Sequence, residues 1–207
     1  MNRPVRIASV VEGHGEVQGL PRMIQRIAQE RYGSYVDAPK PHRVPRANMV
    51  RRPEELQNAV RLQAARFEKR LGGVIVLADS DDDDPGELRR ALQETVETSG
   101  ASRPVVATVA VREYEAWFLA GIESLRSHGA IRDDATYEGD PEQPRNPKQR
   151  LEELMDESYG SVRHQVAFNM HLDLDLAAGR SPSFAQFIEA IGTLVRGDAT
   201  TRTTPGP

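Results

Sequence analysis

Three short apolar segments most constrain how this chain can fold. They cover residues 5–11, 73–78 and 104–111. They are rich in Val, Ile and Ala with few polar interruptions, which is typical of strands buried on both faces of a parallel sheet. Amphipathic helical patterns lie between and around them, at 17–33, 53–70 and 85–98. The alternation predicts an α/β fold, in which helices cover both faces of a mostly parallel, Rossmann-like sheet.

The pattern changes beyond residue 120. Residues 132–148 are polar and proline-rich, which indicates a long loop or a lobe boundary. Helices are predicted at 148–157 and 183–195, each preceded by a Pro that suits a first helical turn. Residues 35–50 are predicted to form a loop with one short strand. We therefore expect three units: a catalytic domain at 1–125, a helical extension at 126–197 and a disordered tail at 198–207.

Composition narrows the class of protein. The chain has 207 residues, enough for one domain with a sizeable core. It contains no cysteine, so any metal must be bound by oxygen or imidazole ligands. The first residues hold too short an apolar stretch for a signal peptide, and no segment approaches the ~18 apolar residues of a membrane span. We expect a soluble, cytoplasmic protein.

Carboxylates follow each of the three predicted strands. Glu12 ends the first, Asp79 and Asp81 end the second, and Glu113 and Glu115 end the third. Ligands bind α/β sheets in the crevice outside the carboxyl ends of the strands. If these strands are neighbours, the five carboxylates converge on one edge of the sheet, where their mutual repulsion favours a bound cation.

Oxygen-only ligation, with no Cys and no strong His pattern, favours a hard cation, Mg²⁺ or Mn²⁺. Glu12 and Glu16 are four residues apart and would share one face of a first helical turn, whereas Asp79 and Asp81 would point the same way from an extended backbone. Such a set could hold two ions, the arrangement used in phosphoryl transfer. Gly13 is expected, together with Gly15, to let the turn bend and to clear space for phosphate and metal. No Gly-Lys-Ser/Thr follows, so a P-loop is excluded.

Two runs of like charge stand out. The basic run holds Arg43, Arg46, Arg51 and Arg52 without an intervening acid, and it could contact phosphates. The acidic run at 79–84 places five carboxylates in six positions. The alternative is that both are solvated loops. The net charge of -4 gives no overall basic footprint of the kind many nucleic-acid-binding proteins show.

Three motifs together resemble the Toprim domain of topoisomerases, bacterial primases and the overcoming-lysogenization-defect nucleases. They are VVEGHGEVQGLP at 10–21, VLADSDDDD at 76–84 and VREYEAWFLA at 111–120. In particular the chain is similar to a group of bacterial, Toprim-like proteins of unknown function, a kind of group often linked to defence against phage and mobile DNA. The resemblance covers residues 5–125 well and the helical end more loosely.

The resemblance implies a set of site residues. Nuclease members of the Toprim group bind two divalent metals through acids that match Glu12, Glu16, Asp79, Asp81 and Glu113 here. Glu115 is a rival for the last position, and an acidic first helical turn is the structural alternative for both. Asp83 could add a further ligand. A basic residue often completes such a site, and Lys148 or Arg163 could serve.

The leading functional hypothesis is a Mg²⁺- or Mn²⁺-dependent nuclease acting on DNA or RNA. In it Glu12, Asp79 and Asp81 carry the metals, Lys148 assists, and water is the nucleophile. The first alternative is an enzyme of phosphotransfer or phosphohydrolysis with a small substrate, which needs no nucleic-acid track. The second is a non-catalytic effector subunit of a partner ATPase, since this chain carries no ATPase motif.

Overall fold

A five-stranded sheet forms the centre of the fold in the computed structural model, which describes residues 4–68 and 70–197. The strands are β1 (Val5–Val11), β2 (Val36–Asp37), β3 (His42–Arg43), β4 (Gly72–Asp79) and β5 (Val105–Ala110). β4 lies against one side of β1, and β5 lies beyond it. β2 and β3 pair in turn with the beginning and the end of β1 on its other side. Every strand pair in the sheet is parallel.

Helices cover both faces of the sheet, so the predicted α/β fold class is confirmed. Their bounds are α1 (His14–Tyr32), α2 (Arg46–Arg51), α3 (Pro53–Ala65), α4 (Pro85–Glu97), α5 (Glu115–Ala120), α6 (Pro147–Glu152), α7 (Ser161–His171), α8 (Leu174–Arg180) and α9 (Pro182–Arg196). A 3₁₀ helix at Ile122–Ser127 follows α5. Within the described residues, no helix has both the length and the apolar character needed to cross a bilayer.

Alternation along the strands creates two hydrophobic cores. Ile7 and Val11 of β1 pack into a core shared with α1, α5, α7 and α9. Ala8 and Val10 face the other way, into a core shared with α2, α3 and α4. Because successive strand residues point to opposite faces, a strand buried on both sides must be apolar throughout. This explains why the three long strands are continuous apolar runs in the sequence.

The C-terminal helices pack onto the same sheet rather than standing apart from it. Phe184 and Phe187 of α9 lie against Trp117 of α5, with ring centroids 5.1 and 5.0 Å apart. Trp117 is fully buried. The region 126–197 is therefore helical as expected, and it shares the core formed by α1 and β1.

Three predicted elements differ from the structure. The helix expected at 53–70 ends at Ala65, since the chain turns to bury Phe67 and Glu68 adopts a φ of 54°, which a right-handed helix cannot contain. The segment 35–50, expected to be a loop with one strand, forms two short strands and the start of α2. The helix expected at 148–157 ends at Glu152. The tail predicted to be disordered, 198–207, lies outside the described residues.

Candidate active site

A pocket of about 220 Å³ opens at the sheet edge where β1, β4 and β5 end. Most of its lining is acidic, as expected for an edge at which carboxylates follow three parallel strands. The residues that line it are Glu12, Gly13, His14, Gly15, Glu16, Asp79, Asp81, Glu113, Glu115, Lys148 and Ser161. The structure thus brings together six of the predicted or rival acidic ligands and one of the two predicted basic residues.

Strand register places the acids next to one another. Val11 of β1 is paired with Leu77 of β4, so Glu12 follows directly alongside the end of β4. The Asp79 N–H donates a hydrogen bond of 3.2 Å to Glu12 Oε2. Main-chain pairing continues past the strands, since the Asp81 N–H donates to the Arg112 carbonyl at 2.9 Å. The convergence therefore follows from the parallel pairing of β1, β4 and β5.

Two residues at this edge adopt a left-handed backbone conformation. Asp81 has a φ of 49° and Arg112 a φ of 65°. Residues with a Cβ seldom adopt this conformation, and such strained positions cluster at functional sites. The strain at Asp81 and Arg112 is held in place by their main-chain hydrogen bond across the strand ends.

Glu16 lies in the first turn of α1 and is only 7% exposed. Its Oε1 accepts a hydrogen bond of 3.1 Å from the Gln165 amide of α7. Among the described residues, its Oε2 has no hydrogen-bond partner. A buried carboxylate oxygen without a partner carries a high desolvation cost, which a cation in the pocket would remove.

The two glycines beside Glu12 have different roles. A Cβ on Gly13 would stand 2.1 Å from Glu16 Oε2, so this glycine makes room for the carboxylate itself. A Cβ on Gly15 would stand 2.4 Å from Gln165 Oε1. The space that a side chain at Gly15 would need is thus filled by α7, although Gly15 also lines the pocket.

Burial and like charges raise the pKa values of three pocket carboxyls. Desolvation raises the pKa of Glu12 to about 7, with further increases from Asp81 and Glu16 opposed by the Asp79 N–H. Burial, then the charge of Glu12, raises the pKa of Asp79 well above its usual range. Burial also raises the pKa of Glu115 to about 7. Without a cation, the pocket thus opposes full ionisation of its acids.

Both rival acids after β5 reach the pocket. Glu115 begins α5 and is only 6% exposed. Glu113 lies between β5 and α5, and its Oε2 accepts a hydrogen bond of 2.8 Å from the main-chain N–H of Lys148. Both side chains therefore face the site, and neither is merely a solvated first-turn acid.

Of the two predicted basic residues, Lys148 is the one at the site. It lies in the first turn of α6, and its Nζ is 5.9 Å from the centroid of the Tyr159 ring. Arg163 is exposed, is ion-paired with Glu157 at 2.7 Å and does not line the pocket. The geometry therefore favours Lys148 over Arg163 as the basic residue.

The acidic run after β4 is held by an arginine of α2. Arg46 Nε donates a hydrogen bond of 2.8 Å to the Asp79 carbonyl and lies 3.5 Å from Asp81 Oδ2. Its Nη2 donates to the Ser80 carbonyl at 3.1 Å and is ion-paired with Asp83. Asp83 is thus engaged by Arg46 and does not line the pocket.

Two further acids of the run also have defined partners. Asp82 is ion-paired with Arg112 at 3.0 Å and with Arg145 at 2.5 Å. Asp84 caps α4, accepting a hydrogen bond of 2.8 Å from the Glu87 N–H. The run is therefore an arginine-held loop at the rim of the pocket rather than a freely solvated one.

The basic run lies near the same edge. Arg43 is paired in the sheet with Val11, the residue before Glu12, and it is exposed. Arg51 is also exposed, whereas Arg52 is ion-paired with Glu55 at 2.9 Å. Arg46 is engaged by the acidic loop as described above. Arg43 and Arg51 are therefore the exposed members of this run that make no ion pair with another described residue.

The acids of the pocket do not form a ready coordination shell. In the described part of the chain, no three His, Asp or Glu side chains stand as a group that could hold a metal ion. Several of their oxygens are used elsewhere, as the contacts of Glu12, Asp81 and Glu113 show. The donor set still suits a hard cation, since it consists of carboxylate oxygens and includes the partnerless Oε2 of Glu16.

Four residues of the site were not predicted from the sequence. Gln165 contacts Glu16, Ser161 lines the pocket, Tyr159 packs next to Lys148, and Arg145 holds Asp82. One signal was present for the α7 contacts. Gly15 and Gly19, four residues apart on α1, indicate that another element packs closely against that face of the helix.

Comparisons with known proteins identify a family without assigning an activity. No match was found among curated proteins or among solved structures. A family model described as a domain of unknown function, DUF4276, matches residues 11–192, which include every element from the end of β1 to most of α9. The chain therefore belongs to the DUF4276 family.

Proposed function

We propose that this protein is a Mg²⁺- or Mn²⁺-dependent, Toprim-like nuclease that hydrolyses phosphodiester bonds. The observation that carries the proposal is the pocket in which six carboxylates meet at the ends of three parallel strands. One of them, Glu16, is buried with a partnerless oxygen. The order of the motifs along the chain, Glu-Gly before Asp-x-Asp, supports the Toprim resemblance.

Divalent cations would be held by Glu12, Glu16, Asp79, Asp81 and Glu113, with Glu115 able to replace Glu113. When bound, they would neutralise these acids and stabilise the negative charge that develops on a reacting phosphate. Asp81 must exchange its contact with Arg46 to take part. Arg46 would remain at the rim through its bonds to the Asp79 and Ser80 carbonyls and its ion pair with Asp83.

The other residues of the site have roles that follow from their positions. Lys148 places a positive charge at the pocket, where it can bind a phosphate oxygen. Arg43 and Arg51 would bind the nucleic-acid backbone beside the site. Burial raises the pKa values of Tyr114 and Tyr159, so neither suits the role of nucleophile, and water takes that role.

The proposal is tested by incubating the purified protein with plasmid DNA and with RNA in Mg²⁺, in Mn²⁺ and in EDTA. We expect cleavage that requires the metal and is lost in Asp79→Asn, which keeps the shape of the side chain and removes its charge. Asp133→Asn, an exposed change outside the pocket, is the matched control. Cleavage by Asp79→Asn at the wild-type rate would refute the assignment.

A small phosphorylated substrate is the second candidate. The observation that favours it is that Arg46 and Arg52 of the basic run are engaged by acids of the chain itself, which leaves a short basic surface. Hydrolysis of mononucleotides or other phosphate esters, without cleavage of polynucleotides, would support this alternative. It would use the same carboxylate pocket.

A further inference from the structure

Gln165 makes a contact with the pocket that the proposed function does not use. It lies on α7, 149 positions after Glu16, and its side chain is fully buried. Its Nε2 donates a hydrogen bond of 3.1 Å to Glu16 Oε1. Within the described part of the chain, the carbonyl oxygen of the same amide has no hydrogen-bond partner, as is also true of Asn169 Nδ2. The hydrogen bond of the buried Gln165 amide is thus directed at a carboxylate of the pocket.

The packing of α1 against α7 is built around this contact. A Cβ on Gly15 would stand 2.4 Å from Gln165 Oε1, and one on Gly19 would stand 2.8 Å from Asn169 Nδ2. Gly costs about 1 kcal/mol relative to Ala within a helix. α1 nevertheless has glycine at both positions, which lets α7 approach close enough for the amide to reach Glu16.

The hydrogen bond makes the two oxygens of Glu16 inequivalent. Oε1 is held by the amide, whereas Oε2 lies over Gly13 without a partner. The amide N–H occupies only Oε1, so Oε2 stays available as a ligand for a cation. Outer partners of this kind orient metal ligands in many metalloproteins.

We propose that Gln165 is a positioning residue that fixes the Glu16 carboxylate so that Oε2 is the oxygen offered to a divalent cation. This inference rests on the proposed metal site and adds a component from the C-terminal helices to it. α7 thereby becomes part of the site, although its own residues are not ligands. Removal of the amide leaves the Glu16 side chain free to rotate.

The test measures the Kd for Mn²⁺ by isothermal titration calorimetry in wild type, Gln165→Met and Asn169→Leu. Met fills a similar volume but cannot donate the hydrogen bond. Asn169 is the matched control, since it is equally buried one turn further along α7 and bonds Tyr114 instead of Glu16. We expect Gln165→Met to weaken Mn²⁺ binding by about 10-fold or more. Asn169→Leu should stay within about 2-fold of wild type.

A double-mutant cycle separates positioning from general loss of packing. Once Glu16→Gln has removed the ligand charge, adding Gln165→Met should change the Kd for Mn²⁺ by less than about 2-fold. An undiminished effect of Gln165→Met in that background would overturn the proposal. Should Gln165→Met fail to fold, Gln165→Asn replaces it, because it keeps an amide but draws the donor back by one methylene group.

The outcomes distinguish this inference from the proposed function. If wild type binds Mn²⁺ and Gln165→Met binds it equally well, the positioning role is refuted and the metal site stands. If wild type binds no Mn²⁺, the metal site and the positioning role are both refuted. Equal weakening in Gln165→Met and Asn169→Leu assigns the effect to packing and also refutes positioning.

Discussion

Glu12→Gln should stabilise the metal-free protein, because Glu12 carries a charge that the pocket opposes. Burial raises the pKa of Glu12 from 4.5 to about 7. A pKa difference of this size lowers the free energy of unfolding by about 3 kcal/mol once the carboxyl is ionised in the folded protein. Gln keeps the acceptor for the Asp79 N–H and removes the charge. For a chain of this length, about 3 kcal/mol corresponds to a Tm increase of roughly 6–12 °C.

The pH dependence follows from the sign of the shift. Since the pKa of Glu12 is higher in the folded than in the unfolded protein, the free energy of unfolding of wild type falls as the pH rises from about 4.5 to about 7. The ionisation of Glu12 lowers it no further above about pH 7. The gain from Glu12→Gln should therefore be full at pH 8 and small at pH 4.5. Calorimetric melting in EDTA at both values measures it, with the exposed change Glu94→Gln as control. An equal gain at both pH values, or none at pH 8, would refute the reasoning.

Three further predictions address other parts of the site. Lys148→Ala should reduce metal-dependent cleavage by about 100-fold and leave the Mn²⁺ affinity unchanged in calorimetry, because the role proposed for Lys148 is to bind substrate rather than metal; an unchanged cleavage rate would exclude that role. Gly15→Ala should lower the free energy of unfolding by about 1–3 kcal/mol in urea titrations, since its Cβ would overlap α7. The control is Gly179→Ala in α8, which should be neutral or stabilising because no atom lies near the added Cβ. Equal effects of the two changes would contradict close packing of α7 against Gly15. The double variant Arg43→Ala, Arg51→Ala should bind duplex nucleic acid with a weaker salt dependence. The slope of log K against log salt concentration should become less negative by about 0.9 for each phosphate that is no longer neutralised. An unchanged slope would place the substrate elsewhere.

The carboxylate edge could be predicted because local sequence determines it. A continuous apolar run predicts a strand buried on both faces, and the carboxyl ends of parallel strands meet at one edge. Glu12 and Asp79 follow such runs directly, so their proximity required no knowledge of distant contacts. The same reasoning explains why Glu113 and Glu115 could not be separated from the sequence, since both follow β5 and both reach the pocket.

There is a physical reason why the contribution of α7 to the site could not be predicted from the sequence. Three of its buried residues are polar, His164, Gln165 and Asn169, so the helix lacks the apolar stripe that identifies a core-facing helix. Their partners lie far along the chain, as the pairing of Gln165 with Glu16 shows. Gly15 and Gly19 indicate that some element packs closely on that face of α1, but no local pattern identifies α7 as that element.

The arginine contacts of the acidic loop were missed for a similar reason. A run of carboxylates is usually solvated, and the sequence favours that interpretation when the run is taken alone. Arg145 lies 63 positions after Asp82, and Arg46 lies 37 before Asp83. Only the fold brings these arginines to the rim of the pocket and gives the charged loop its defined conformation.

Anomalous diffraction would show whether the carboxylate pocket binds the proposed catalytic cations. Crystals soaked in Mn²⁺ and measured near the manganese absorption edge would locate the metal by its anomalous signal. We expect one or two peaks in the pocket, with ligands drawn from Glu12, Glu16 and Asp79. Full-occupancy Mn²⁺ bound only elsewhere, or a pocket without signal at saturating Mn²⁺, would contradict this expectation.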